Sequence, residues 1–139
     1  MNIQECLENG LLKKDKPSIE KAKKSIKISK LKLEKAENLF KLKILDMAEV
    51  NIYSSMFHAS RALLYRDGLK ERSHYALYIY LKEKYYDKIE PRFLNELNVL
   101  RLNRHEIFYG FEELILDEQE IRNIINLAGE FIKLIEELL

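Results

Sequence analysis

The clearest periodicity in the chain lies near its end, where Ile121, Ile124, Ile125, Ala128, Phe131, Ile132, Ile135, Leu138 and Leu139 recur in steps of three and one. That spacing lays one apolar stripe along a helix running from about Asp117 to Leu139. A second stripe begins at Ile19 and continues through Ala22, Ile26 and Leu33. Ser18 stands before it as an N-cap, just after Pro17, and the helix runs to about Leu42. A third helix starts near Asp46 and ends at Gly68, a glycine suited to the position after a helix C-terminus. Its stripe is Tyr53, Met56, Phe57, Ser60, Leu63 and Leu64. The small residues Ser54, Ser55, Ala59, Ser60 and Ala62 let another helix approach closely. Ser73 caps a helix from His74 to about Asp87, rich in tyrosine: Tyr75, Tyr78, Tyr80, Tyr85 and Tyr86. Pro91 suits the first turn of a further helix, which Gly110 stops after Tyr109. Residues 2 to 9 read as a short helix ended by Gly10, and residues 13 to 17 as a polar break. No alternating run is long enough to predict a strand.

These elements predict an all-α fold, an up-and-down bundle of four long helices plus a short N-terminal helix. With 139 residues, the chain reads as one domain, residues 1–17 forming an N-terminal arm or short helix. Four glycines and two prolines leave little room for long loops. The aromatic helix and the small-residue helix together offer more apolar surface than one four-helix core needs, which predicts a homodimer.

Charge adds a polarity that the net value of +1 conceals. Residues 13–43 carry twelve lysines against four acids, whereas residues 112–139 carry eight acids against Arg122 and Lys133. The basic stretch has three readings: a nucleic-acid-facing surface, a solvated helix face, or one partner in an antiparallel pairing with the acidic helix. Cys6 is the single cysteine, so no disulfide forms within the chain, which fits a reducing compartment. There is no secretory signal pattern and no apolar run of membrane-spanning length, so a cytoplasmic location without membrane contact is expected.

Several chemistries lack their signatures. There is no glycine-rich phosphate loop, no H-E-x-x-H and no C-x-x-C. His58, His74 and His105 fall on three different helices with no ligand spacing, and no Glu-x-x-His pair suggests a di-iron bundle. No metal or other cofactor is expected.

The stretch most suggestive of chemistry is Leu100-Arg-Leu-Asn-Arg-His-Glu-Ile-Phe-Tyr-Gly110. At about 100° per residue, Arg101, Arg104, His105 and Phe108 share one helix face. Leu97 and Leu100 occupy the same turns, so that face is expected to point inward or toward a partner. A buried guanidinium needs an anion: an internal carboxylate such as Glu106 or Glu49, or a phosphate from outside.

Two segments together resemble a known family. Ile52-Tyr-Ser-Ser-Met-Phe-His-Ala-Ser-Arg-Ala-Leu-Leu64, followed by Gly68-Leu69 and Ser73-His74, is similar to a helix and turn of small prokaryotic HEPN proteins (higher eukaryotes and prokaryotes nucleotide-binding). Arg104-His-Glu-Ile-Phe-Tyr109 falls where that branch carries Arg, four residues, then Tyr. The resemblance spans roughly residues 18–139. It implies a helical bundle that dimerises around its arginine motif. Many members are metal-independent ribonucleases with Arg, four to six residues, then His; others pair with a small nucleotidyltransferase in a toxin–antitoxin arrangement. Carried over, Arg104 is the motif arginine, and Tyr109 stands where the ribonucleases have His. Ile107-Phe108 replace the branch's usual Ala-Asp, and Tyr75 replaces a common glycine. His105 matches no catalytic position of the family.

The resemblance therefore implies a toxin-like HEPN component with a nucleotidyltransferase partner, a candidate endoribonuclease acting on RNA. The alternative is a non-catalytic module that binds a nucleotide or a partner protein. Arg101 and Arg104 would bind phosphate, since an arginine fork matches phosphate oxygens. Cleavage also needs a base for the 2′-hydroxyl. His105 has the suitable ordinary pKa and Tyr109 is the better hydrogen-bond donor. On an ideal helix Arg104 and Tyr109 stand about 140° apart, so they converge only if Tyr109 lies beyond the helix end or a second subunit supplies one of them. Tyr53, Phe57 and Tyr78 are the expected dimer-interface residues.

Overall fold

The computed structural model describes residues 1–139 throughout. Six helices are present: α1 (Ile3–Glu8), α2 (Ile19–Lys41), α3 (Leu45–Asp67), α4 (His74–Lys84), α5 (Pro91–Tyr109) and α6 (Glu118–Leu138). The fold is an all-α helical bundle, as the hydrophobic spacing predicts. The start signals act through their side chains. Ser18 accepts from the Lys21 amide, Ser73 from Ala76 and Asp117 from Gln119, each satisfying a donor the first helical turn leaves free. Gly68 closes α3 with φ +79°, the left-handed conformation expected after a helix. A β-carbon there would also come within 3.0 Å of the Asp15 carbonyl and 2.9 Å of Pro17.

The prediction of no strands is overturned. Leu12–Lys14 (β1) pairs antiparallel with Leu69–Glu71 (β2), with Leu12 opposite Glu71, Lys13 opposite Lys70 and Lys14 opposite Leu69. Three residues per strand are too few to show an alternating pattern. The pairing depends on α3 delivering its C-terminus beside the N-terminal arm, which no local spacing reports. The tyrosine-rich helix also ends earlier than Asp87. It stops at Lys84, and Tyr85 and Ile89 turn back into the core.

The small residues do let helices approach. Ala22, Ser25, Ser29 and Ala36 of α2 and Ser55, Ala59 and Ala62 of α3 are all buried, and these two helices share the largest interface of the bundle. Buried hydroxyls find carbonyls: Ser25 donates to His58 at 2.6 Å across the helices, and Ser55 and Ser60 donate within α3. The α6 stripe packs as expected, with Ile121, Ile125, Ala128, Phe131, Ile132 and Ile135 buried and Ile124, Leu138 and Leu139 at the margin. The basic and acidic segments do pair: Lys30 meets Glu136 at 2.9 Å and Arg122 meets Glu37 at 2.7 Å, so α2 and α6 run antiparallel. No helix is long and apolar enough to cross a membrane.

Candidate functional site

α5 begins as a core helix and ends outside the core. Phe93, Leu94, Leu97 and Leu100 are buried, and no residue after Leu100 is. The face carrying Arg101, Arg104, His105 and Phe108 therefore does not point inward, which excludes one of the two directions expected for it. Arg101 and Arg104 are half-buried, His105 and Phe108 exposed. The internal ion pairs are not formed either. Arg101 donates to the Asn98 side-chain carbonyl at 3.1 and 3.0 Å and lies 5.1 Å over the Tyr75 ring. Arg104 lies 5.4 Å over the Phe108 ring. Glu49 is buried but accepts from Asn103, at 3.4 Å, and its Oε2 has no partner. Both guanidinia thus rest on rings and an amide, with no carboxylate answering their charge.

Tyr109 is the last residue of α5 rather than the first beyond it, so it stays on its helical azimuth, away from Arg104. It is 70% exposed, and its ring sits 5.2 Å from that of His105. Gly110 ends the helix in an extended conformation; a β-carbon there would come within 2.6 Å of the Glu106 carbonyl oxygen.

The arginines instead face a cluster that sequence reasoning assigned to a dimer contact. Tyr53 is 3% exposed. Its hydroxyl lies 2.6 Å from Nδ1 of His74, at the start of α4. Phe57 stacks on His74 with ring centres 4.3 Å apart and planes 12° apart. Burial lowers the pKa of His74, and the positive charges of Arg104, Arg101 and Arg61 lower it further. Burial raises that of Tyr53, which Arg104 and Arg101 partly oppose. At neutral pH the pair is therefore an uncharged imidazole hydrogen-bonded to an uncharged phenol, beside two fixed cations. Tyr53 and Tyr78, at 3% and 9% exposure, have little surface left for a second subunit, and Phe57 is only half-buried. Exposed apolar side chains include Val99, Leu102, Phe108 and Tyr109 on α5 and Phe111 and Ile115 in the segment after it, besides others such as Leu31, Leu42 and Tyr86.

The expected site residues therefore divide. Arg101 and Arg104 lie near enough to Tyr53 for their charge to act on its hydroxyl, whereas the His105 and Tyr109 rings adjoin along the helix end. His74 and Arg61 join the cluster and were not singled out as site residues by sequence. The Ser73-His74 dipeptide did carry a signal, because an N-cap serine fixes where the next side chain starts its helix. The cluster offers two cations for anionic oxygens, an imidazole able to take a proton and a phenol able to donate one.

No curated protein is similar enough to this chain to count as a match. A family model described as the HEPN domain matches residues 22–138, which takes in α2 after its first three residues, every helix from α3 to α6 and all the residues of the cluster. The chain belongs to the HEPN domain family.

Proposed function

We propose that this HEPN domain is a metal-independent endoribonuclease, the toxin-like half of a cytoplasmic pair with a small nucleotidyltransferase, and that it grips RNA phosphate with Arg101 and Arg104. The observation supporting this reading is the pair of arginines left without carboxylates beside the neutral Tyr53–His74 pair. A half-buried guanidinium without a counterion has electrostatic capacity to spare for a phosphate. In the reaction the 2′-hydroxyl attacks the adjacent phosphorus and the bond to the 5′-oxygen breaks. A 2′,3′-cyclic phosphate and a 5′-hydroxyl result. Arg104 stabilises the charge that develops on the phosphoryl oxygens. A neutral imidazole takes the 2′-proton; His74 joins His105 as a candidate because it faces the arginines. Homodimerisation through the exposed apolar side of α5 would bring Tyr109 of one subunit toward Arg104 of the other.

The test is cleavage of RNA by the chain freed of any partner, in EDTA. Arg104→Ala should lower the rate roughly 10²–10³-fold while the melting temperature barely moves. His74→Gln and His105→Ala identify the base, whose loss should cost about 10²–10⁴-fold. Wild type that cleaves nothing under these conditions removes the ribonuclease reading. The exposed Tyr109, standing where the ribonucleases have His, favours a second reading: a non-catalytic module that binds a nucleotide or a partner. In that case Arg104→Ala weakens binding in a protein that never cleaves. Light scattering at micromolar concentration tests the dimer, and Leu102→Glu should dissociate it.

A further inference from the structure

A second basic surface lies away from Arg101 and Arg104. Between α2, α3 and the β1–β2 ribbon is a cavity of about 340 Å³, whose charged lining is Lys21, Lys24, Arg61, Lys70 and Asp15. His58 and Tyr65 stand beside them in its wall. Three larger cavities are present; one of about 670 Å³, between α2 and the end of α6, is also basic, with Lys23, Lys27 and Lys30 against Glu136, and the other two have a different character. One of about 460 Å³ sets Asp46, Glu106, Glu112 and Glu113 against Lys43, and one of about 750 Å³ mixes Lys30 and Lys133 with Glu34, Glu37 and Glu136.

The cations of the smaller cavity are incompletely compensated. Lys21 reaches Asp15 at 3.7 Å, and Lys24 reaches Glu20 at 3.3 Å along the exposed side of α2. Exposed pairs of this kind are weak and exchange readily for a better anion. Arg61 lies 2.8 Å from Glu71 through its Nε, yet the N–H is not aligned on that oxygen. Lys70 has no acidic partner within ion-pair distance, and it stands directly opposite Lys13 across the ribbon. Like charges at facing strand positions repel. The ribbon therefore holds a cation at the mouth of the cavity against an electrostatic cost that a bound anion would offset. His58 adds a neutral imidazole whose Nδ1 is buried without a partner.

We propose that this cavity binds a small phosphate-bearing anion of about diphosphate to mononucleotide size, with Lys21, Lys24, Lys70 and Arg61 meeting its oxygens. The volume lies at the lower end of the range for small-molecule pockets. None of Arg101, Arg104 or His105 lines it; Arg61, which lies over the Phe57 ring of the other cluster, is the one residue the two share.

Titration calorimetry on the full chain, with inorganic pyrophosphate and separately with a nucleoside diphosphate, tests it. Lys24→Gln/Lys70→Gln should weaken binding by about tenfold or more, the loss of two charge-assisted contacts. Lys35→Gln/Lys41→Gln removes the same charge from exposed positions of α2 outside the cavity and should leave affinity nearly unchanged, whereas Arg104→Ala removes only the phosphate contact at α5 and should leave a binding event of the same affinity in the cavity. Tighter binding of the diphosphate than of pyrophosphate would show that a base is held as well. Equal weakening in the two lysine pairs would reduce the effect to net charge and overturn the site. So would loss on Arg104→Ala, which would move the anion to α5, and so would heat with neither ligand. If a short single-stranded RNA alone binds and Lys24→Gln/Lys70→Gln weakens it, the surface is a nucleic-acid backbone contact and the small-anion proposal falls.

Discussion

Arginine serves two different purposes in α5 and α6. On α6, Arg122 donates to both carboxylate oxygens of Glu37, at 2.7 and 3.0 Å, and lies over the Phe40 ring. Arg92, at the start of α5, reaches Glu90 and Glu130. Arg66 at the end of α3 meets Asp67 and Tyr85. These side chains join one segment to another and their charge is answered within the fold. Arg101 and Arg104, further along α5, receive a side-chain carbonyl and aromatic rings instead. Their charge is unanswered because the stripe that would have buried them ends at Leu100. Folding thus uses the first half of α5 and leaves Arg101 and Arg104 of the second half without a carboxylate partner.

Substitutions on the two helices should separate these purposes. The largest expected effect is at Phe131, fully buried on α6 and packed 5.6 Å from the Phe93 ring of α5. Phe131→Ala should cost about 3–5 kcal/mol of unfolding free energy, measured by urea titration. A loss as large from Arg104→Ala would erase the distinction, since that arginine would then be part of the fold. Arg122→Ala should cost far less, roughly 0.2–1 kcal/mol, because the pair it breaks is about one-third exposed. It should also weaken with added salt and leave any RNA cleavage untouched. If instead Arg122→Ala removes activity while Arg104→Ala does not, the assignment of the two helices is reversed.

The sequence carried the helices because each depends on local information. The α6 spacing, Ser18, Ser73 and Asp117 at helix starts, and Gly68 at a helix end all act within a turn or two of themselves. The ribbon was not legible, since Leu12–Lys14 and Leu69–Glu71 meet only after α2 and α3 have folded back. The site was legible in part. Arg101 and Arg104 stood out as charges in an apolar pattern, but which of the two expected directions they take was not legible, because the spacing of Leu97 and Leu100 does not report that the core stops there. Tyr53 was noticed for its apolar ring and assigned outward. Its hydroxyl bond to His74 depends on where α4 crosses α3, a tertiary fact absent from either segment alone.

Glu49 is the other half of the comparison, an acid that did not receive its arginine. It is 4% exposed on α3. Burial raises its pKa; the Asn103 hydrogen bond pulls the other way, and the charges of Glu96 and Glu120 push it higher still. A carboxyl whose folded pKa lies above its unfolded one favours folding in its protonated form. Its contribution is fully present below the unfolded value near 4.5 and is lost as pH rises through the folded pKa. Toward neutral pH the wild-type chain therefore loses stability, because the unfolded carboxyl ionises more readily than the buried one. Glu49→Gln removes the titrating group and keeps an oxygen for Asn103 to donate to. Its melting temperature should match wild type near pH 4 and exceed it by a growing margin as pH rises to 7.5, by a few degrees at most. A margin that stays constant with pH would mean that Glu49 titrates alike in the folded and the unfolded chain. A margin that reverses, with Gln the less stable at pH 7.5, would mean that Glu49 has found a cation after all, and Arg101 or Arg104 would be the first place to look for it.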